Sequence, residues 1–180
     1  VTQIVLGLAE SRWQLNALTI AGLSMAIAVG LWWTYFNRLD DDAVRQLVGK
    51  GRIWIYQLWL YDRLPLLISA ATVSVGIGHA LAVDPQQILA VADRWLLVGS
   101  IAAFLLFEAV ICFTTIGAGS PHPAFTWGVF YRLVAATVLL GFGWFTGMTP
   151  LFGITLAAIA VGAVVLGDVF KEAPASSARN

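Results

Sequence analysis

Long apolar runs, separated by short polar stretches, dominate the chain. A helix that crosses the hydrocarbon core of a bilayer takes about 20 predominantly apolar residues. Five runs reach this length, and each predicts one transmembrane helix. They cover approximately residues 14–36, 64–83, 95–117, 124–147 and 149–170.

The two ends of the chain differ from these runs. Residues 1–10 are apolar but too short to span, so we expect a short helical piece there, either the tail of a helix that precedes Val1 or an interfacial segment. Residues 173–180 are polar and predict a flexible tail. The predicted fold is all-α, a single transmembrane helix bundle over residues 1–172 with about five full spans.

Composition supports a membrane location. Apolar residues make up 59% of the chain, charged residues 11%, and the mean hydropathy is +0.84. Soluble domains carry about 25% charged residues, so an ordinary water-soluble domain is excluded. Ten basic and ten acidic residues cancel without a basic block, which excludes nucleic-acid binding. Cys112 is the only cysteine, so the chain forms no internal disulfide.

The distribution of basic residues predicts an orientation, because Lys and Arg are enriched on the cytoplasmic side of membrane proteins. One predicted side holds six of them: Arg38, Arg45, Lys50, Arg52, Lys171 and Arg179. The other side holds only Arg12 and Arg94. We therefore expect the loop between the first two spans and the C-terminus to be cytoplasmic.

Small residues recur at four-residue spacing and predict close helix packing, because lipid supplies little hydrophobic drive between helices. They are Gly22, Ala26 and Gly30 on the first span, Ala70, Ser74 and Gly78 on the second, and Gly143 and Gly147 on the fourth. Such a stripe serves either packing within the chain or pairing with a second copy. Packing within the chain is favoured because several helices carry one.

Two charged residues fall deep within predicted spans, where charge is costly and faces the protein interior. Glu108 lies about nine residues before the turn at 118–123, and Arg132 about eight after it. At a rise of about 1.5 Å per residue, both lie roughly 12–14 Å from the same membrane edge and can pair across an antiparallel hairpin. The pair is either a structural ion pair that fixes the hairpin register or part of an ion- or proton-handling site.

Polar residues also mark the expected start of the second span. Pro65 is expected in its first helical turn, where a missing N–H is tolerated. Asp62 is then expected as the N-cap, and Arg63 is expected to extend toward lipid phosphates. The aromatic segment 53–61 is expected at the membrane interface.

Three further polar residues are candidate ligand contacts. His79 lies near one end of the second span, His122 lies in a Ser-Pro-His-Pro turn, and Glu10 lies in the N-terminal segment. Polar interfacial contacts are favoured for both histidines over metal or pigment ligation. The sequence contains no catalytic triad order, phosphate-binding loop or metal-ligand motif, so we expect no enzyme activity and no metal site, and no cofactor is identified.

Several motifs resemble the bacterial low temperature requirement protein A family. Segment 30–37 (GLWWTYFN) resembles the end of a family span, and segment 61–67 (YDRLPLL) with 76–81 (GIGHAL) resembles the helix that follows. Segment 7–11 (GLAES) resembles a Gly-Glu-Ser element of the family. The motifs lie within residues 1–83.

Two departures from the family pattern involve polar positions. Arg63 stands where the family usually has histidine, and Leu8 and Ala9 interrupt the Gly-Glu-Ser element. The resemblance implies that this chain corresponds to the C-terminal half of a longer family member. It also implies a bacterial inner-membrane location and a role in membrane adaptation or stress growth.

Two hypotheses for function follow. The favoured one is a non-catalytic subunit that packs in a larger membrane assembly. Its expected partners are lipid and other membrane chains or a copy of itself, and pigment is a further candidate contact. The other is an ion- or proton-coupled transporter or channel that uses Glu108 and Arg132, with Glu10 as a third candidate.

Overall fold

The computed structural model describes Thr2 and residues 15–37, 53–117 and 123–177, which are helical or in short connections, with no strand in those ranges. This confirms the predicted all-α fold class. Four helices are long and apolar enough to cross a membrane: Leu18–Phe36, Ile53–Ala82, Val91–Thr114 and Pro150–Phe170. A shorter apolar helix, Trp127–Gly143, corresponds to the fourth predicted span.

The helices are numbered along the chain as α1 (Leu15–Asn37), α2 (Ile53–Ala82), α3 (Val91–Arg94), α4 (Ser100–Gly117), α5 (Pro123–Gly143) and α6 (Pro150–Ser177). A π-helical segment, Trp95–Gly99, joins α3 to α4, so the three pieces run as one continuous span. Helix α6 continues into the stretch predicted as a tail.

The predicted start of the second span was wrong. Helix α2 begins at Ile53, and Pro65 lies in its interior rather than in its first turn. The reason is that the aromatic segment before the proline continues the buried face of the helix, which Ile55 and Trp59 share with Leu66. Packing along this face outweighs the hydrogen bond that a proline removes, and such interruptions are tolerated in membrane helices.

Helix α4 lies at the centre of the bundle. It packs against α2 on one side and α5 on the other, while α6 packs against α5 and α1. Helices α1 and α2 make few contacts with each other, so the bundle is open between them. All five long helices contribute to the core, whose fully buried side chains include Ile27, Leu66, Leu105, Leu139 and Ile154.

The closest approach of α2 to the central span occurs at Gly76. A Cβ atom there would lie 2.8 Å from Leu96 O and 2.9 Å from Leu97 Cα, so only glycine fits at this separation. The contact falls on the π-helical segment, where the backbone hydrogen-bond register shifts. The Ser100 hydroxyl donates to Leu96 O at 2.6 Å, which satisfies a carbonyl in this irregular turn.

Some predicted small residues lie at close helix contacts. A Cβ atom at Gly30 would lie 2.5 Å from Val161 Cγ1, so this glycine permits the approach of α1 to α6. The exposed Ala26 lines, with Gly30, a groove between α1 and α6. A Cβ atom at Gly143 would meet the Trp95 ring at 2.9 Å.

Others do not have the expected role. A Cβ atom at Gly22 would meet nothing within 4 Å, and one at Gly147 would meet only the Phe145 ring, at 3.4 Å. On α2, Ala70 and Ser74 line the open gap toward α1.

Gly78, on the same α2 stripe, is only partly buried. The packed face of α2 is displaced from the predicted stripe and passes through Val73, Gly76, Ile77 and Ala80. Four-residue spacing identifies a small-residue face but does not say which face meets a neighbour.

Candidate functional site

Three helices bring charged side chains together in one buried cluster. Arg132 on α5 donates from Nε to Glu108 Oε2 on α4 at 2.9 Å. Its Nη1 and Nη2 donate to Asp168 Oδ1 and Oδ2 on α6 at 3.2 and 2.8 Å. Nη1 also donates to Gly128 O at 3.2 Å. Glu108, Arg132 and Asp168 are called the charged triad below.

The charged triad is removed from solvent. The side chain of Arg132 is 0% exposed, that of Glu108 3% and that of Asp168 1%. Desolvating charges is expensive and is offset only where geometry is good and the hydrogen-bonding groups are satisfied. The planar guanidinium meets this condition, because it engages Asp168 through two parallel bonds and Glu108 through a third.

The structure places Glu108 and Arg132 across the α4–α5 hairpin, as their equal depths indicate. Asp168 was missed as a member of the site, because it lies at the end of the fifth predicted span. The preceding residue, Gly167, is a sequence signal for a close helix contact at this position. Gly167 has no side chain, and a Cβ atom there would lie 2.8 Å from Tyr131 Cδ2. Helices α5 and α6 therefore approach closely next to Arg132 and Asp168.

The charged triad contains one more acid than base. Among the described residues, Arg132 bonds to both carboxylates, those of Glu108 and Asp168. Within the described ranges, Glu108 Oε1 is buried and has no hydrogen-bond partner. Thr34 on α1 lies beside this carboxyl, and its hydroxyl donates to Leu31 O at 3.1 Å. Oε1 is thus the oxygen of Glu108 that Arg132 leaves for a proton.

Asp62 is not the predicted N-cap, because α2 begins well before it. Asp62 is 7% exposed inside the helix, and its Oδ2 has no hydrogen-bond partner in the part of the chain that the structure describes. Arg63 Nη1 donates to Tyr35 OH on α1 at 3.2 Å, and its Cζ lies 4.1 Å from the Trp59 ring centroid. Arg63 therefore links α2 to α1.

His79 lies at the opposite end of α2. Its Nδ1 lies 2.8 Å from Asp93 Oδ1, and the His79 side chain is 55% exposed. Close by in sequence, the buried Arg94 donates from Nε to Gly143 O at 2.7 Å and caps the C-terminus of α5. Among the described residues, no group of three or more His, Cys, Asp or Glu side chains is placed to hold a metal ion.

Two predicted site residues, Glu10 and His122, lie outside the described residues. The described part of the candidate site therefore consists of the charged triad and the side chains around it.

These features define a class: a multi-pass helical membrane protein with a buried acid-rich charged cluster between its helices. The sequence pattern of the bacterial low temperature requirement A protein (LtrA) family matches residues 1–167, and the chain belongs to this family. The match extends well beyond the motifs within residues 1–83. No curated protein and no solved structure matches the chain.

Proposed function

We propose that the protein is a channel-like proton transporter in which Glu108 binds and releases the proton. The observation that carries this proposal is the composition of the charged triad, two carboxylates for one guanidinium in a site that solvent does not reach. An intramembrane ionisable group is by default a candidate functional group.

The geometry distinguishes between the two acids. Asp168 accepts two hydrogen bonds from Arg132, one on each oxygen, whereas Glu108 accepts one, on Oε2. A proton on Glu108 Oε1 neutralises this carboxylate without breaking any of these bonds. The nearby Thr34 oxygen can accept the resulting O–H, because the Thr34 hydrogen is already directed to Leu31 O.

Infrared difference spectroscopy tests the protonation step on the whole protein in lipid nanodiscs. The wild type is expected to show a protonated carboxyl band that changes between acidic and alkaline pH and shifts in deuterium oxide. Glu108→Gln is expected to remove this band, whereas Asp168→Asn, the matched control, is expected to leave a carboxyl band. A band that survives Glu108→Gln and disappears with Asp168→Asn would assign the proton to the wrong acid.

Proteoliposomes with an entrapped pH-sensitive dye test transport. We expect wild-type protein to dissipate an imposed proton gradient faster than Glu108→Gln or protein-free vesicles. Equal rates in all three preparations would contradict proton transport. Replacing the proton gradient with a sodium gradient and a sodium-sensitive dye distinguishes proton from sodium movement.

The second candidate function is a non-catalytic subunit of a larger membrane assembly. It is favoured by the open face between α1 and α2, where two helices of one bundle barely contact each other. Purification in mild detergent tests it, because a stoichiometric partner chain that crosslinks to this face is expected only for a subunit. The role in stress adaptation that family resemblance implies is tested by growth of a deletion strain at low temperature with and without Glu108→Gln.

A further inference from the structure

The bundle contains a further buried acid outside the charged triad. Asp62 is 7% exposed, and its Oδ2 has no hydrogen-bond partner in the described part of the chain. It belongs to the buried face of α2, together with Trp59, Leu66 and Gly76. An ionisable side chain within a membrane helix is by default a candidate functional group, and the proton site at Glu108 does not include this one.

The contact between α2 and the central span gives the depth of Asp62 relative to Glu108. Gly76 meets the backbone of Leu97, and Phe104 of α4 lines the same groove as α2 residues that precede Gly76, so the two helices are antiparallel. Asp62 precedes Gly76 by 14 residues, or about 21 Å. Glu108 follows Leu97 by 11 residues, or about 16 Å. The two carboxyls therefore differ in depth by roughly 4–5 Å, with Asp62 nearer the side where α1 ends.

Contacts of α1 place the two acids in the same part of the bundle. Thr34 lies beside the Glu108 carboxyl. The next residue, Tyr35, accepts a hydrogen bond from Arg63 Nη1 at 3.2 Å, and Arg63 is the neighbour of Asp62 on α2. Consecutive residues of α1 thus contact Glu108 on one helix and the neighbour of Asp62 on another.

The two acids differ in their access to water. Asp62 is 7% exposed, whereas Glu108 is 2% exposed. Because Asp62 also lies nearer the side where α1 ends, a proton that enters from that side reaches Asp62 before Glu108.

We propose that Asp62 is a second proton-binding residue, which passes protons between Glu108 and the side of the membrane where α1 ends. Its role rests on the proposed proton transport through Glu108. In each transfer, the O–H bond of the Asp62 carboxyl breaks and an O–H bond forms on Glu108 Oε1. One bridging water accepts the first proton as it donates the second. Water at the end of the bundle then reprotonates the Asp62 carboxylate, so protons and charge balance.

The charged and titratable groups around this path come from three helices. They are Tyr61 and Arg63 on α2, Tyr35 on α1, and Cys112 beside Glu108 on α4. None of these neighbours is a carboxyl, so the infrared carboxyl bands expected from this path are those of Asp62 and Glu108.

Time-resolved infrared spectroscopy of the whole protein in lipid nanodiscs, after a rapid drop in pH, tests the role of Asp62. In the wild type, the carboxyl bands of Asp62 and Glu108 are both expected to rise. Asp62→Asn is expected to remove its own band, to keep the Glu108 band at equilibrium, and to slow the rise of that band about 100-fold, since a positioned proton donor contributes at least this much. Azide, a small weak acid that can donate protons in place of the missing carboxyl, is expected to restore the rate in Asp62→Asn and to leave the wild type unchanged.

Two further variants separate proton donation from packing. Asp62→Glu keeps a carboxyl and is expected to keep the fast rise. Ser69→Ala is the matched control, because Ser69 lies on the same buried face of α2 and its hydroxyl donates to Pro65 O at 2.8 Å, within the helix. It is expected to behave as the wild type. A wild-type rate in Asp62→Asn would overturn the proposal. So would a slowing that azide does not relieve, or an equal slowing in Ser69→Ala.

The roles of Asp62 and Glu108 are tested separately in proteoliposomes. If Asp62→Asn transports protons at the wild-type rate and Glu108→Gln does not, only the role of Asp62 is contradicted. If the wild type shows neither a Glu108 carboxyl band nor proton transport, the proposed function fails, and the role of Asp62 fails with it.

Discussion

Charged side chains are arranged differently in two regions of this protein: three helices contribute to the charged triad, whereas Asp62 and Arg63 are neighbours on α2. In the charged triad, Arg132 bonds to acids that are 24 and 36 positions away in the sequence. On α2, Asp62 and Arg63 are adjacent, yet Arg63 bonds to Tyr35 on another helix, and Asp62 Oδ2 has no hydrogen-bond partner within the described ranges.

The difference follows from helix geometry. Adjacent residues on a helix do not face each other, because successive side chains point in directions about 100° apart. Residues on different helices can face each other whenever their depths match. Charge neutralisation inside the bundle is therefore decided by tertiary placement and not by proximity in sequence. The two regions are expected to respond oppositely to the removal of one charge.

The largest effect is expected for Arg132→Leu. This change leaves Glu108 and Asp168 buried without their cation, and breaking a buried ion pair by removing one partner costs about 3–5 kcal/mol. Denaturant titration in mixed micelles is expected to show this loss in the free energy of unfolding. The neutral combination of Arg132→Leu with Glu108→Gln and Asp168→Asn should recover much of it. Unaltered stability of the single variant would mean that the triad is not the ionic centre of the bundle.

The next effect separates the two acids of the triad. Asp168→Asn replaces a carboxylate that accepts two bonds from Arg132, and we expect a loss of about 2–4 kcal/mol. Glu108→Gln keeps an oxygen that can accept from Arg132 Nε, so its effect is expected within about 1 kcal/mol. Unfolding midpoints measured in parallel test this ranking. A larger loss for Glu108→Gln than for Asp168→Asn would reverse our assignment of roles.

A smaller effect is expected from packing beside the triad. Gly167→Ala forces the Tyr131 ring away from α6 and is expected to destabilise the protein by about 1–3 kcal/mol. Gly162→Ala on the same helix is the matched control, because a Cβ atom there would meet nothing within 4 Å. Thermal unfolding in detergent compares the two. If both variants unfold alike, the close approach of α5 and α6 at the triad is not required.

The smallest effect, and the one of opposite sign, is expected on α2. Asp62→Asn removes a buried negative charge with an unsatisfied oxygen, so we expect unchanged stability or a gain of up to about 1 kcal/mol. The same unfolding measurement tests it. A loss as large as that of Arg132→Leu would show that Asp62 has a stabilising partner and would remove the contrast between the two regions.

Much of the fold could be predicted from the sequence because hydrophobic length and helix rise are local properties. The apolar runs identify membrane helices, and the all-α class follows because a lone segment in lipid must satisfy its own backbone hydrogen bonds. The depths of Glu108 and Arg132 follow from counting residues on both sides of one short turn. None of these inferences requires knowing which helix neighbours which.

The lateral arrangement could not be predicted, since helices that are apolar on most faces show no stripe that marks the packed side. For this reason, the small-residue stripe on α2 suggested a packed face, whereas Gly76 makes the close contact and Ala70 and Ser74 line a groove. The start of α2 was also misplaced. The preference of proline for the first helical turn is a local property, whereas the buried face that continues on both sides of Pro65 depends on packing against other helices.

The sequence by itself determined that this is a membrane helix bundle, and that an acid and a base lie at matching depth, because both depend only on composition and counting. Only the tertiary structure decided that Asp168 bonds to Arg132 and that Arg63 bonds to Tyr35 on α1. It also decided that α1 and α2 make few contacts with each other. The physical reason is that lipid is as apolar as the helix surfaces, so side-by-side placement is selected by shape and by a few buried polar bonds.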